Sequence, residues 1–347
     1  MDILRLLATV FVICGHTAAL ARGFYCPGTA GFQILEFVTW LFTLSNLLFI
    51  MISGSLLLPV RGERPLTFFR KRFTKILLPL VVYYLLYIFA KQGITPFYPA
   101  NLPALLRRIL LGPPVEAPHF WLVYTIFWLY VLTPFLRYLL QNIPDSVMHG
   151  VMAVLLLLAA ADTYAPLFSV SLPVSGIADS FVIVFVFGYY LTERSGRTAE
   201  RLTLIAGICS VLATGTIIFT QGGYDDYIYN NAPTAVFAAG AIVVLTKRLA
   251  EGRVTESLFT RLIGKYSFSI LMIHWGVLHV AVKKILRVDV TSGGVIGGCL
   301  VMIILTLVLS AAGAVLVDNT LVAAIRLVFS KIGQGIARLF PSRSRKS

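Results

Sequence analysis

Charge is what this chain has least of. Charged side chains make up 13% of its 347 residues, about half the share usual in soluble domains, and the mean hydropathy is +0.86. This excludes a soluble globular protein. Repeated apolar runs of about 20 residues suit spanning helices and predict an all-α, polytopic helical bundle. The two-residue alternation of an outer-membrane barrel is missing.

Cysteine is almost as scarce. Cys14, Cys26, Cys209 and Cys299 are scattered along the chain, which gives neither a disulfide framework nor a paired metal-ligand spacing. A glycine-rich phosphate loop, a Gly-x-Ser-x-Gly elbow and a His-Glu-x-x-His site are also missing. Neither ATP-driven work nor metal-assisted hydrolysis is indicated, and no metal is expected.

Acidic residues number 15 against 29 Lys and Arg, for a net charge of +14. In a soluble domain that excess would point to nucleic acid. Here the basic residues gather in connectors between apolar runs, where they set topology, so no nucleic-acid partner is expected.

Ten spans are expected: 2–21, 34–59, 76–89 with extension to 91, 119–140, 147–161, 177–191, 202–220, 233–245, 266–282 and 293–317. Pro134 is expected to kink the fourth span or to end it. Residues 1–317 form the transmembrane domain in this division, and 318–347 form a basic tail. Within the tail, 321–340 has the spacing of an interfacial amphipathic helix, and 343–347 is expected to be disordered.

Although Ala19-Leu20-Ala21 resembles a leader cleavage site, Asp2, Arg5 and His16 do not suit a leader, so the first span is expected to be retained. With both termini in the cytoplasm, 22 of the 29 basic residues fall inside and seven outside: Arg22, Lys91, Arg107, Arg108, Lys283, Lys284 and Arg287. The positive-inside rule favours this orientation.

The first span carries two costly residues. The eleven steps from Arg5 to His16 turn a helix by about 1100°, so both lie on one face, roughly 16 Å apart along the axis. Arg5 then sits near the cytoplasmic end and His16 in the outer half. An ionisable group inside a span is a functional candidate by default, and an imidazole can act as base or nucleophile. The competing reading for His16 is an interhelical hydrogen bond, and for Arg5 it is snorkelling to headgroups.

The connector with Arg61, Arg64, Arg70, Lys71, Arg72 and Lys75 is dense enough to hold a phosphorylated ligand, with lipid headgroups as the alternative. Ser53-Gly54 reads as a close-packing pair, with Ser53 lining a tunnel as the alternative. Glu36, Glu116, His119 and His279 join His16 toward the outer side. Trp121 and Tyr124 suit an interfacial belt, and His274 is either a buried, bonded histidine or part of a site. These seven (Glu36, Glu116, His119, Trp121, Tyr124, His274, His279) are the acceptor-side candidates.

Five segments, in order, resemble acyltransferase family 3 membrane proteins: Arg5-x10-His16; Phe49-Ile-Met-Ile-Ser-Gly54; Phe69-Arg-Lys-Arg-Phe-Thr-Lys-Ile-Leu-Leu-Pro79; His119-Phe-Trp-Leu122; and Gly264-Lys-Tyr-Ser-Phe-Ser-Ile-Leu-Met-Ile-His274. Within the family the chain is similar to the branch with the enterobacterial common antigen O-acetyltransferase. The resemblance implies a bacterial inner-membrane enzyme that moves an acyl group, usually acetyl from acetyl-CoA, to a hydroxyl of a cell-envelope glycan or glycolipid.

By the same resemblance, Arg5 and His16 are the essential pair. Arg70, Arg72 and Lys75 would contact the acyl donor, with Ser53 beside them. The chain shows no appended hydrolase-like domain, so no second transfer step on a separate domain is expected. Direct general-base transfer and a transient acyl-histidine both remain open. An exporter of a glycan or small molecule, and a ligand-sensing membrane domain, are the other classes.

Overall fold

A computed structural model describes the chain except residue 61, residues 171–180, 222–225, 251–256 and 340–347, and the side chains at 73, 226 and 332–339. The expected start of the sixth span at 177, the basic residues Arg61 and Arg253, Asp225 and the 343–347 end lie outside the described residues. Among the described residues the secondary structure is entirely helical.

The helices are α1 (Asp2–Arg22), α2 (Ala30–Leu57), α3 (Pro65–Arg72), α4 (Leu78–Gln92), α5 (Leu102–Leu111), α6 (Trp121–Gln141) and α7 (Asp145–Tyr164). They continue with α8 (Val182–Tyr189), α9 (Arg197–Gln221), α10 (Pro233–Ala250), α11 (Leu258–Gly276), α12 (Val295–Val317) and α13 (Ala323–Leu339). Nine helical stretches among the described residues are long and apolar enough to cross a membrane.

Several expected boundaries move. A π-helical turn, Phe73–Leu77, joins α3 to α4, so the basic connector 70–75 is itself helical and runs into the span. A similar turn, Asp318–Val322, carries α12 into α13 without a break at 317. Pro134 does not end α6, which continues to Gln141.

Ion pairs mark the two ends of the bundle. On the Arg5 side, Arg137 donates Nε to the Leu57 carbonyl at 2.7 Å and pairs with Glu63 at 3.0 Å. Arg194 pairs there with Asp145, and Glu200 receives both Lys247 and Arg248 at 2.8 and 3.0 Å. On the opposite side Arg22 pairs with buried Glu36, which also accepts the Tyr229 hydroxyl at 2.8 Å.

Close backbone approach holds the centre. α8 is apolar on every face and is buried from Ile183 to Tyr189, as a helix without a polar face must be. Its crossing with α2 is made by glycines: a Cβ on Gly54 would lie 1.8 Å from the Phe185 carbonyl oxygen, and one on Gly188 would lie 2.3 Å from that of Met51. Gly54 is therefore the close-packing residue of the Ser53-Gly54 pair. The short α5 buries only Leu105 and exposes Leu106, Leu110 and Leu111, the pattern of a helix lying in the membrane interface.

Candidate active site

The N-terminal end of α1, the C-terminal end of α2, the turn after α3, and the neighbouring parts of α6 and α11 enclose a cavity of about 480 Å³. Arg5, Arg72, Lys75 and Lys265 line it together with Ser53 and Tyr130. The α1–α11 approach depends on Gly264, where a Cβ would meet the Asp2 side chain at 3.1 Å. Arg5 pairs with Asp2 one turn away.

Arg72 lies over the Phe68 and Tyr130 rings at 5.4 and 5.9 Å, and its buried Nε has no partner. An unsatisfied guanidinium donor is costly in a closed site and ready for an anionic oxygen. The Ser53 hydroxyl donates to the Phe49 carbonyl at 2.9 Å within its own helix. Ile52, Leu56 and Leu271 complete an apolar wall. Cations beside an apolar slot suit an anion with a long apolar arm.

Leu271 to Gly276 of α11 separates this cavity from the other side of the bundle. The ring of buried His274 bonds through Nδ1 to the Leu271 carbonyl at 2.7 Å, and that of buried His119 through Nε2 to the Met272 carbonyl at 3.1 Å. Because a carbonyl only accepts, the proton of each bond belongs to the ring. His274 Nε2 and His119 Nδ1 are left without partners. The Tyr87 hydroxyl donates to the Met272 carbonyl at 3.1 Å and accepts the Gly276 N–H at 2.8 Å.

His16 of α1 reaches the same cluster. Its ring stacks on His274 with centroids 5.2 Å apart and meets Trp275 edge to face at 5.0 Å. It is half-buried.

Beyond Trp275 the helix widens into a π-helical stretch, Val277–Ile285, a distortion found often at functional sites. His279, four residues on, packs against Trp275 with centroids 4.2 Å apart. Both line a second cavity of about 900 Å³, with Tyr87, Glu116 and three lysines. Burial pushes the Glu116 carboxyl up, but its own backbone N–H, Gln92 at 2.5 Å and Arg108 at 3.3 Å outweigh this and hold it below the usual range.

The residues expected from the sequence therefore divide. Arg5, Ser53, Arg72 and Lys75 share the first cavity, whereas Arg70 is exposed and lies outside its lining. His16, His119, His274 and His279 converge around Trp275, and Glu116 lines the second cavity.

Three acceptor-side candidates are engaged elsewhere. Glu36 is held by Arg22 and Tyr229. Trp121 packs on Phe181 at 5.6 Å and lines a separate cavity of about 160 Å³. The Tyr124 hydroxyl donates to the Ile109 carbonyl at 2.6 Å and so anchors α5.

Sequence reasoning missed Tyr87, Tyr130, Lys265 and Trp275 as site residues. Trp275 and His279 stand four apart on one helical face, which was the available signal, and Lys265 lies inside the Gly264 to His274 segment. Tyr130 carries no signal in an aromatic-rich span.

No curated protein and no solved structure matches the chain. A family model described as an acyltransferase domain, that of acyltransferase family 3, matches residues 1–315, a stretch that holds both cavities and the histidine cluster between them. This protein belongs to acyltransferase family 3 and is a membrane acyltransferase.

Proposed function

We propose that this enzyme moves an acetyl group from cytosolic acetyl-CoA to a hydroxyl of a cell-envelope glycan across the bacterial inner membrane. The observation that carries the proposal is the placement of α1: Arg5 lines one cavity, and His16 on the same face packs against Trp275, which lines the other. O-acetylation is typical of the family, and the order of the five motifs resembles the branch that acetylates envelope polysaccharides.

In this account Arg5, Arg72 and Lys75 hold the phosphates of CoA, and Arg72 gains the oxygen its buried Nε lacks. The apolar wall directs the thioester toward His16. The acceptor hydroxyl arrives from the second cavity, and an imidazole nitrogen of His16 takes its proton as the oxygen attacks the thioester carbonyl. The tetrahedral oxyanion collapses with cleavage of the C–S bond, and the departing thiolate takes the proton from the His16 imidazolium. A thioester is activated enough that positioning and oxyanion stabilisation suffice.

The test uses the purified full chain in lipid nanodiscs, without any gradient, with acetyl-CoA and envelope glycan. Glycan-dependent release of CoA thiol, matched by acetyl groups on the glycan, is expected. Absence of release, together with passage of glycan across vesicles containing the protein, would replace transfer with export. Saturable acetyl-CoA binding without turnover would make the protein a sensor.

A further inference from the structure

Lys91 at the end of α4 and Lys283 and Lys284 in the π-helical stretch after α11 all line the 900 Å³ cavity. They come from segments nearly 200 residues apart, so helix packing brings them together. All three act electrostatically on His279. None has a carboxylate partner among the described residues.

The nearby carboxylates are engaged elsewhere. Glu116 is held by Arg108 and Gln92. Asp289, which faces Lys283 electrostatically, accepts the Thr291 N–H and hydroxyl at 2.8 and 2.6 Å. Of the other basic residues on this side, Arg22 pairs with Glu36 and Arg108 with Glu116, and Arg107 and Arg287 lie outside the cavity lining. The unpaired lysines thus gather around a concave site with an aromatic wall formed by Trp275 and a buried, unpartnered His279 Nε2. The volume is that of a ligand site, and the positive-inside rule disfavours three cations there for topology alone.

We infer that the acceptor is an anionic glycan, with a carboxylate or phosphate on or beside the sugar that is acetylated. This inference rests on the proposal that the second cavity receives the acceptor. The three ammonium groups hold the anion at the mouth, and Trp275 offers the sugar a flat face next to His16.

The test measures binding to the full chain in phosphatidylcholine nanodiscs, using a galacturonic acid tetramer and neutral maltotetraose as probes. The variant is the triple substitution Lys91→Gln, Lys283→Gln, Lys284→Gln. The wild type is expected to bind the galacturonate at least about tenfold more tightly than maltotetraose, with the difference lost at about 0.5 M salt. The triple variant is expected to lose about tenfold in galacturonate affinity while keeping its affinity for acetyl-CoA.

Equal binding of the two oligomers, or galacturonate binding that survives the triple substitution, would overturn the inference. Loss of acetyl-CoA binding would overturn it by assigning the lysines to the donor. A lysine effect seen only when phosphatidylglycerol is added to the discs would overturn it in favour of lipid headgroups. Acetylation of a neutral envelope glycan by the purified protein would leave acyl transfer standing and remove only the charge selection.

Discussion

The rings of His16 and Trp275 meet edge to face with their centroids 5.0 Å apart. That contact ties α1 to α11 at the boundary between a cavity lined by arginine and lysine and a larger one lined by lysine and tryptophan. Edge-to-face ring pairs are directional and specify one arrangement. A half-buried imidazole is thereby held beside the wall between the two cavities.

Donor affinity should depend on Arg72 far more than on Arg70. Arg72→Gln removes the buried unpartnered donor and is expected to raise KM for acetyl-CoA about tenfold with a smaller change in kcat. Arg70→Gln, on an exposed side chain, is expected to stay within about twofold. Steady-state kinetics of both variants check this.

Much of this arrangement was legible because helix periodicity is rigid. Arg5 and His16 share a face at any packing, and hydropathy alone marks nine of the ten expected spans, the sixth having its start outside the described residues. Partners distant in sequence were not legible. Glu36 and Glu116 look alike in the chain, yet Tyr229, 193 residues from Glu36, engages the first, whereas the second lines a cavity. The π-helical turns also escaped notice, because a one-residue change in winding leaves hydropathy unaltered while it shifts every later side chain around the axis.

The crossing of α2 with α8 should tolerate no added methyl. Gly54→Ala would place a Cβ 1.8 Å from the Phe185 carbonyl oxygen, and the overpacking is expected to cost about 1–3 kcal/mol or more. Ser53→Ala, which removes a hydroxyl bonded to the Phe49 carbonyl and to Tyr130, is expected to cost about 1 kcal/mol or less. Thermal unfolding in detergent compares the two.

Acid should loosen the segment between α2 and α3. The hydrogen bond from Lys71 at 2.9 Å, joined by that from Arg137 at 3.0 Å against the opposing effect of burial, holds the Glu63 carboxyl below its ordinary range. Its stabilisation is complete above the unfolded value of about 4.3 and drains away as pH falls through the lower folded value. The gap in Tm between wild type and Glu63→Gln is therefore expected to be widest near neutrality and to close below about pH 4. A gap constant from pH 7 to pH 3 would deny Glu63 that role.

The most direct test of the central claim is acceptor-dependent release of CoA thiol by purified His16→Ala, alongside its binding of acetyl-CoA. Release is expected to fall at least about a hundredfold, as loss of a general base does, with acetyl-CoA binding retained. Release at the wild-type rate would contradict that claim.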